Sequence, residues 1–171
     1  MSKFLVLTII ADDKPGIVET LAATIADQHG NWLESRMSHM AGKFAGILRI
    51  SIAAEHANSL QIRLSELATQ GINVGVEVSA EAGDSVATKD LTLNLIGNDR
   101  PGIVKEVSQA LAKLGVNVLE LTTNCESAAM SADLLFKTEA HLRVPQCFDA
   151  DELTDALEAI SNDLMVEINL D

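Results

Sequence analysis

Twice in this chain of 171 residues an aspartate stands two positions ahead of a Pro-Gly pair: residues 12–17 read DDKPGI and residues 98–103 read NDRPGI. Proline fixes φ near the helical value and is favoured in the first turn of a helix. Glycine removes the side chain, so another backbone or a small ligand can approach closely. The free N–H groups of a helix N-terminus attract a carboxylate. An aspartate just before the turn can cap the helix or accept hydrogen bonds from an ammonium group. One such loop offers partners to both ends of a zwitterionic amino acid. The same residues also make a sound helix start with no ligand; the second copy, with matched flanks, raises the binding reading to stand level with that one.

The flanks match over a long stretch. Moved along by 86 positions, residues 11–34 fall on residues 97–120 without a gap. Nine of these 24 positions are identical, among them Asp13/Asp99, Pro15/Pro101, Gly16/Gly102, Asn31/Asn117 and Glu34/Glu120. Lys14 and Arg100 keep the charge, and Leu5, Leu7 and Ile9 fall on Leu91, Leu93 and Leu95. An internal repeat sets the architecture. The polar stretch EAGDSVATK at 81–89 is of linker type, giving two units at 1–82 and 90–171 with a linker at 83–89.

Each unit reads alike. A strand at 4–11 carries Leu5, Leu7 and Ile9 on one face. Pro15 is expected to open a helix with Ile17, Val18, Leu21 and Ile25 as its apolar stripe, ended by Gly30 and Asn31. Strands follow at 32–40 and 44–53 around a turn at 41–43. Asn58 and Gln61 have the spacing of a capping box for a second helix striped by Leu60, Leu64 and Leu67 and ended by Gly71. Ile72, Val74, Val76 and Val78 then alternate with polar residues, as in a half-buried strand. In the second unit the strands are expected at 90–96, 117–125, 130–139 and 164–170, and the helices at 101–114 and 151–161. Asp149 with Glu152 forms another capping-box pattern, preceded by an extra loop at 140–148. The order is βαββαβ twice. Right-handed crossovers put both helices of a unit on one sheet face. The expected class is α+β: two ferredoxin-like units, each an antiparallel sheet with helices on one side.

Composition removes several functions. With 12 Lys+Arg against 25 Asp+Glu the net charge is −13, and no run of basic residues occurs, so direct binding to nucleic acid is not expected. Aromatics are 3% of the chain, too few for base stacking. The charge is uneven: −4 over residues 1–85 and −9 over 86–171, with eight acids and no base from Asp149 onward. That acidic surface suits either a basic protein partner or plain solvation. Cys125 and Cys147 form no disulfide framework and read as reduced cytoplasmic thiols. The longest apolar stretch, residues 4–11, is far short of the roughly 20 residues of a spanning helix; Asp12 and Asp13 directly after it argue against a signal peptide. His29, His39, His56 and His141 are scattered without metal-ligand spacing, so no metal is expected. His39 and Cys125 occupy aligned positions that either face an interface or pack. No nucleophile motif or Cys-x-x-Cys loop is present, and the acidic DDKPG loop disfavours phosphate chemistry, so an enzyme is not expected.

The D-[KR]-P-G-I-V loop in its βαββαβ setting, followed by the N-[WV]-L-E strand start, resembles the ACT domain, a small-molecule-sensing module of amino-acid metabolism. Two such domains filling a short chain are similar to the glycine cleavage system transcriptional repressor family. The resemblance implies ligands at interfaces between ACT domains, held by the first loop of one domain and the second-strand region of its neighbour. Carried over by position, the loop residues are Asp13, Pro15, Gly16, Ile17, Asp99, Pro101, Gly102 and Ile103, and the strand-start residues are Asn31 and Asn117. It further implies a small amino-acid effector, glycine foremost, a DNA-bound transcriptional activator as protein partner, a homodimer or higher oligomer, and no cofactor. The other role it allows is an amino-acid-binding ACT protein that regulates a metabolic enzyme.

Overall fold

The computed structural model describes residues 2–79, 87–128 and 133–170. The chain forms two compact units, 1–83 and 84–171. The first runs β1 (Ser2–Asp12), α1 (Ile17–Asp27), β2 (Asn31–Met40), β3 (Lys43–Ala53), α2 (Ala54–Glu66), a 3-10 turn (Leu67–Gln70) and β4 (Ile72–Ser79). The second runs β5 (Thr88–Asn98), α3 (Ile103–Lys113), β6 (Asn117–Ser127), β7 (Leu134–Pro145), α4 (Ala150–Glu158) and β8 (Met165–Leu170). The sheet orders are β2-β3-β1-β4 and β6-β7-β5-β8, with every recorded pair antiparallel. This is the repeated ferredoxin-like architecture the repeat implies.

Alternation along the central strand decides which face is covered. Leu5, Leu7, Ile9 and Ala11 are buried beneath α1 and α2, which contribute Ile17, Leu21, Ile25, Leu60 and Leu64. Leu91, Leu93 and Leu95 repeat this under Ile103, Val107 and Leu111 of α3 and Leu153 and Leu157 of α4. The opposite faces differ. In the first unit that face carries Val6, Ile10 and Ile47, with Arg49 lying 4.9 Å over the Phe4 ring. In the second it carries Thr92, Asn94, Glu139 and His141, and Arg143 donates two bonds of 2.8 Å to Asp90.

Local details depart from expectation in instructive ways. Helix α1 starts at Ile17, not Pro15, because Gly16 is the N-cap in a left-handed conformation; α3 does the same after Gly102. Asn58 caps nothing. Helix α2 begins at Ala54, straight from the extended Ala53, since no loop separates it from β3. Asp149 does cap α4, accepting from the Asp151 N–H at 2.9 Å. The expected extra loop at 140–148 is mostly strand. Ala140, Leu142 and Val144 are buried and pair β7 to β5 as far as Pro145. Its polar residues are the outward half of a period of two. The expected start of that strand, at 130–132, lies outside the described residues, as do 80–86. Strand β5 begins at Thr88 and so takes up the last residues of the expected linker. Ala41 (φ 48°) and Gly42 (φ 79°) make the two-residue β2–β3 hairpin with both central φ values positive, the turn that suits strand twist. The edge strands β2 and β6 carry a bulge in the same place, between Trp32 and Glu34 and between Val118 and Glu120. Leu33 and Leu119 are the extra residues.

Leu7→Ala and Leu93→Ala remove fully buried side chains and should each cost about 2–5 kcal/mol. Ile10→Ala, on the open face and 51% exposed, should cost about 0.5 kcal/mol or less. Urea denaturation followed by circular dichroism measures all three.

Candidate functional site

The loops between β1 and α1 and between β5 and α3 share one geometry. The Asp13 N–H donates to the Gly42 carbonyl at 3.0 Å, pinning the first loop to the hairpin. The Asp99 N–H donates to the Leu134 carbonyl at 2.8 Å in the second. Gly16 (φ 93°) and Gly102 (φ 90°) then reverse the chain into the helix. No side chain caps α1 or α3, so neither Asp13 nor Asp99 serves as a cap. A Cβ placed on either glycine would meet nothing within 4 Å. Each helix thus presents first-turn N–H groups beside an open spot and a carboxylate-bearing loop. Such a corner can hold a small anion or a carboxylate. The side chains of Ile17 and Ile103 point the other way, into the core, while Pro15 and Pro101 fix the turn beside each glycine.

Around this frame the two loops diverge. Lys14 donates from Nζ to the Gln70 carbonyl at 3.0 Å, fastening the first loop to the 3-10 turn. Asp12 is paired with Lys43, whose hydrogen bond holds the Asp12 carboxyl below its ordinary range. Arg100, aligned with Lys14, instead forks onto Glu106 of α3, at 3.0 Å from Nη1 and 2.5 Å from Nη2. Those bonds lower the Glu106 carboxyl and raise the Arg100 guanidinium. The Asn98 N–H donates to Asp163 at 2.9 Å. Cys125 of β6 sits at the second loop. Local desolvation first, then the charge of Asp99 and a hydrogen bond to it, raise the thiol above its ordinary value.

Asn31 and Asn117 lie elsewhere. Asn31 pairs with Ser51, which pairs with Phe4, whereas the loop follows Asp12. Eight residues of strand, about 26 Å, separate those levels. Asn117 stands in the same relation to the second loop, level with Arg143 and Asp90. Within one unit, therefore, a small molecule cannot touch both. Lys43, Gln70 and Asp163 join the loops through contacts long-range in sequence and carry no local signal; Glu106 is only six residues from Arg100. Cys125 was detectable only through its alignment with His39.

A doubled antiparallel βαββαβ unit, each copy with an open glycine corner ahead of its first helix, defines a tandem ferredoxin-like class of protein. The ACT domain family matches residues 3–78 and 89–168, and the chain belongs to it. A solved structure from Galdieria sulphuraria, of a protein of unknown role, is similar over 100% of this chain and 99% of its own, with 24% identity and a TM-score of 0.83. A protein provisionally described as a glycine cleavage system transcriptional repressor is similar over 100% and 98%, with 17% identity and a TM-score of 0.74. At these identities the likeness is one of fold. No curated protein matches the chain significantly.

Gly16→Ala and Gly102→Ala should each lower stability by about 1 kcal/mol, since the strain is in φ alone and the new methyl has room; thermal melts measure it. In a Cys147→Ser background, alkylation of Cys125 should rise with pH only above the ordinary thiol range. Asp99→Asn should move that midpoint down but not fully back, because desolvation remains.

Proposed function

We propose that this ACT-domain chain is a non-catalytic regulatory protein of the cytoplasm that senses a small amino acid, glycine foremost. It represses transcription by contacting a DNA-bound activator of glycine cleavage genes, and works as a homodimer or higher oligomer. The observation that carries the sensor reading is the repeated corner: an uncapped helix N-terminus beside Gly16 or Gly102, with Asp13 or Asp99 next to it. The helix N–H groups suit the ligand carboxylate and the aspartate suits its ammonium group. Asn31 or Asn117 of a neighbouring unit closes the site. The whole-chain likeness in fold to the protein provisionally described as a glycine cleavage repressor supports the biological role. The net charge of −13 supports a protein partner over direct contact with DNA.

Isothermal titration of the full chain with the twenty amino acids should give saturable heat for glycine or another small member. Gly16→Ala or Gly102→Ala, which puts a methyl group where the ligand sits, should weaken it at least tenfold. No heat with any amino acid overturns the sensor reading. Pull-down from extract should recover a transcriptional activator. Binding of duplex DNA by the chain alone at physiological salt overturns the partner reading, and recovery of a metabolic enzyme in its place redirects it to enzyme regulation.

A further inference from the structure

We infer that His29 and His56 form a two-histidine site for a divalent transition-metal ion of the zinc class, joining the end of α1 to the start of α2. The residues are far apart in sequence, but their ring centres lie 5.1 Å apart with planes tilted by 54°. Zinc sits about 2.0–2.1 Å from a ligating ring nitrogen, hence roughly 3.2 Å from the ring centre. Two imidazoles at a tetrahedral angle on one ion then have centres about 5.2 Å apart. The observed spacing fits that value.

The backbone points the same way. His29 adopts φ 60°, and among the described residues Ala41 in the β2–β3 hairpin is the other non-glycine residue with a positive φ. The aligned position in the second unit is Gly115 at φ 67°, the residue type that takes this conformation without strain. A histidine here costs stability that glycine would spare, and strain of this kind collects at functional sites. The second unit also lacks the partner: the third residue of α4 is Glu152, where α2 has His56. The pair therefore belongs to the first unit alone.

The junction is already held together without an ion. Ser59 of α2 hydrogen-bonds the Gln28 side chain at the end of α1. Glu55 lies 3.6 Å from Nε2 of His56, an ion-pair distance too long for a hydrogen bond. His29 is exposed and His56 half-exposed, so a hydrated ion can enter. Among the described residues no group of three or more His, Cys, Asp or Glu could hold a metal; water therefore completes the coordination, and the affinity is modest.

The full chain is titrated with zinc chloride and followed by calorimetry, thermal melting and imidazole NMR. One equivalent should bind, raise the melting temperature and shift the ring signals of His29 and His56 but not those of His39 or His141. His29→Gly fits the local φ and should keep the metal-free fold while weakening zinc binding at least tenfold and abolishing the thermal shift. His56→Gln should do the same. Absence of zinc binding, undiminished binding by His29→Gly, or binding lost only when Cys125 or Cys147 is replaced by Ser overturns the inference.

Discussion

How the middle strand of each sheet ends governs most of this protein. Strand β1 runs between β3 and β4 and carries the buried row Leu5, Leu7, Ile9 and Ala11. The next segment must turn back at once and lay Ile17, Leu21 and Ile25 over that row. The turn is made by one residue, Gly16, at φ 93°, a conformation that disfavours side chains bearing a Cβ. Gly102 does the same for β5 and α3. The left-handed glycine leaves the helix entrance without a side-chain cap. The atoms that meet the folding constraint are thus the ones available to a ligand.

From that shared frame the two halves have moved apart. The first loop is fastened outward, through Lys14 to the 3-10 turn and Asp12 to Lys43. The second is fastened inward, through Arg100 to its own helix and Asp99 to the edge-strand thiol. The open sheet faces diverge too, apolar around Val6, Ile10 and Ile47 and polar around Thr92, Asn94 and Glu139. Net charge is uneven too, −4 over residues 1–85 against −9 over residues 86–171. Here the fold-determining residues are kept while the contact-determining ones are not.

What the sequence made legible was what period and repetition encode. The strands showed as alternation at Leu5–Ile9 and Ile72–Val78, the helices as stripes, and the architecture as the 86-residue shift. Pro15 misled about the helix start because its first-turn preference competes with a left-handed glycine one residue on, and only backbone geometry decides between them. Asn58 misled because its helix grows out of β3 with no loop to cap. Polar letters at His141 and Arg143 hid a strand whose other face is core. The loop residues of the candidate site were visible, since they are contiguous. The separation of Asn31 from Asp13 was not, because it depends on β1 and β2 running parallel with β3 between them. Likewise no local spacing reveals that His29 meets His56; that contact exists only once α1 and α2 pack side by side.

The separation of Asn31 from the loop has a thermodynamic consequence. Glycine has five non-hydrogen atoms, and the best small ligands gain about 1.5 kcal/mol per atom, so its ceiling is about 7.5 kcal/mol, or micromolar affinity. An open corner exposed to water falls well short of that ceiling. A ligand this small reaches a useful affinity only when a second surface buries it and supplies the missing hydrogen bonds. If that surface is the strand-start region of another unit, binding and association are one equilibrium, and each must strengthen the other by the same free energy. Under the proposed function, such coupling needs no change of shape within either sheet, because ligand binding and association are linked through the same free energy.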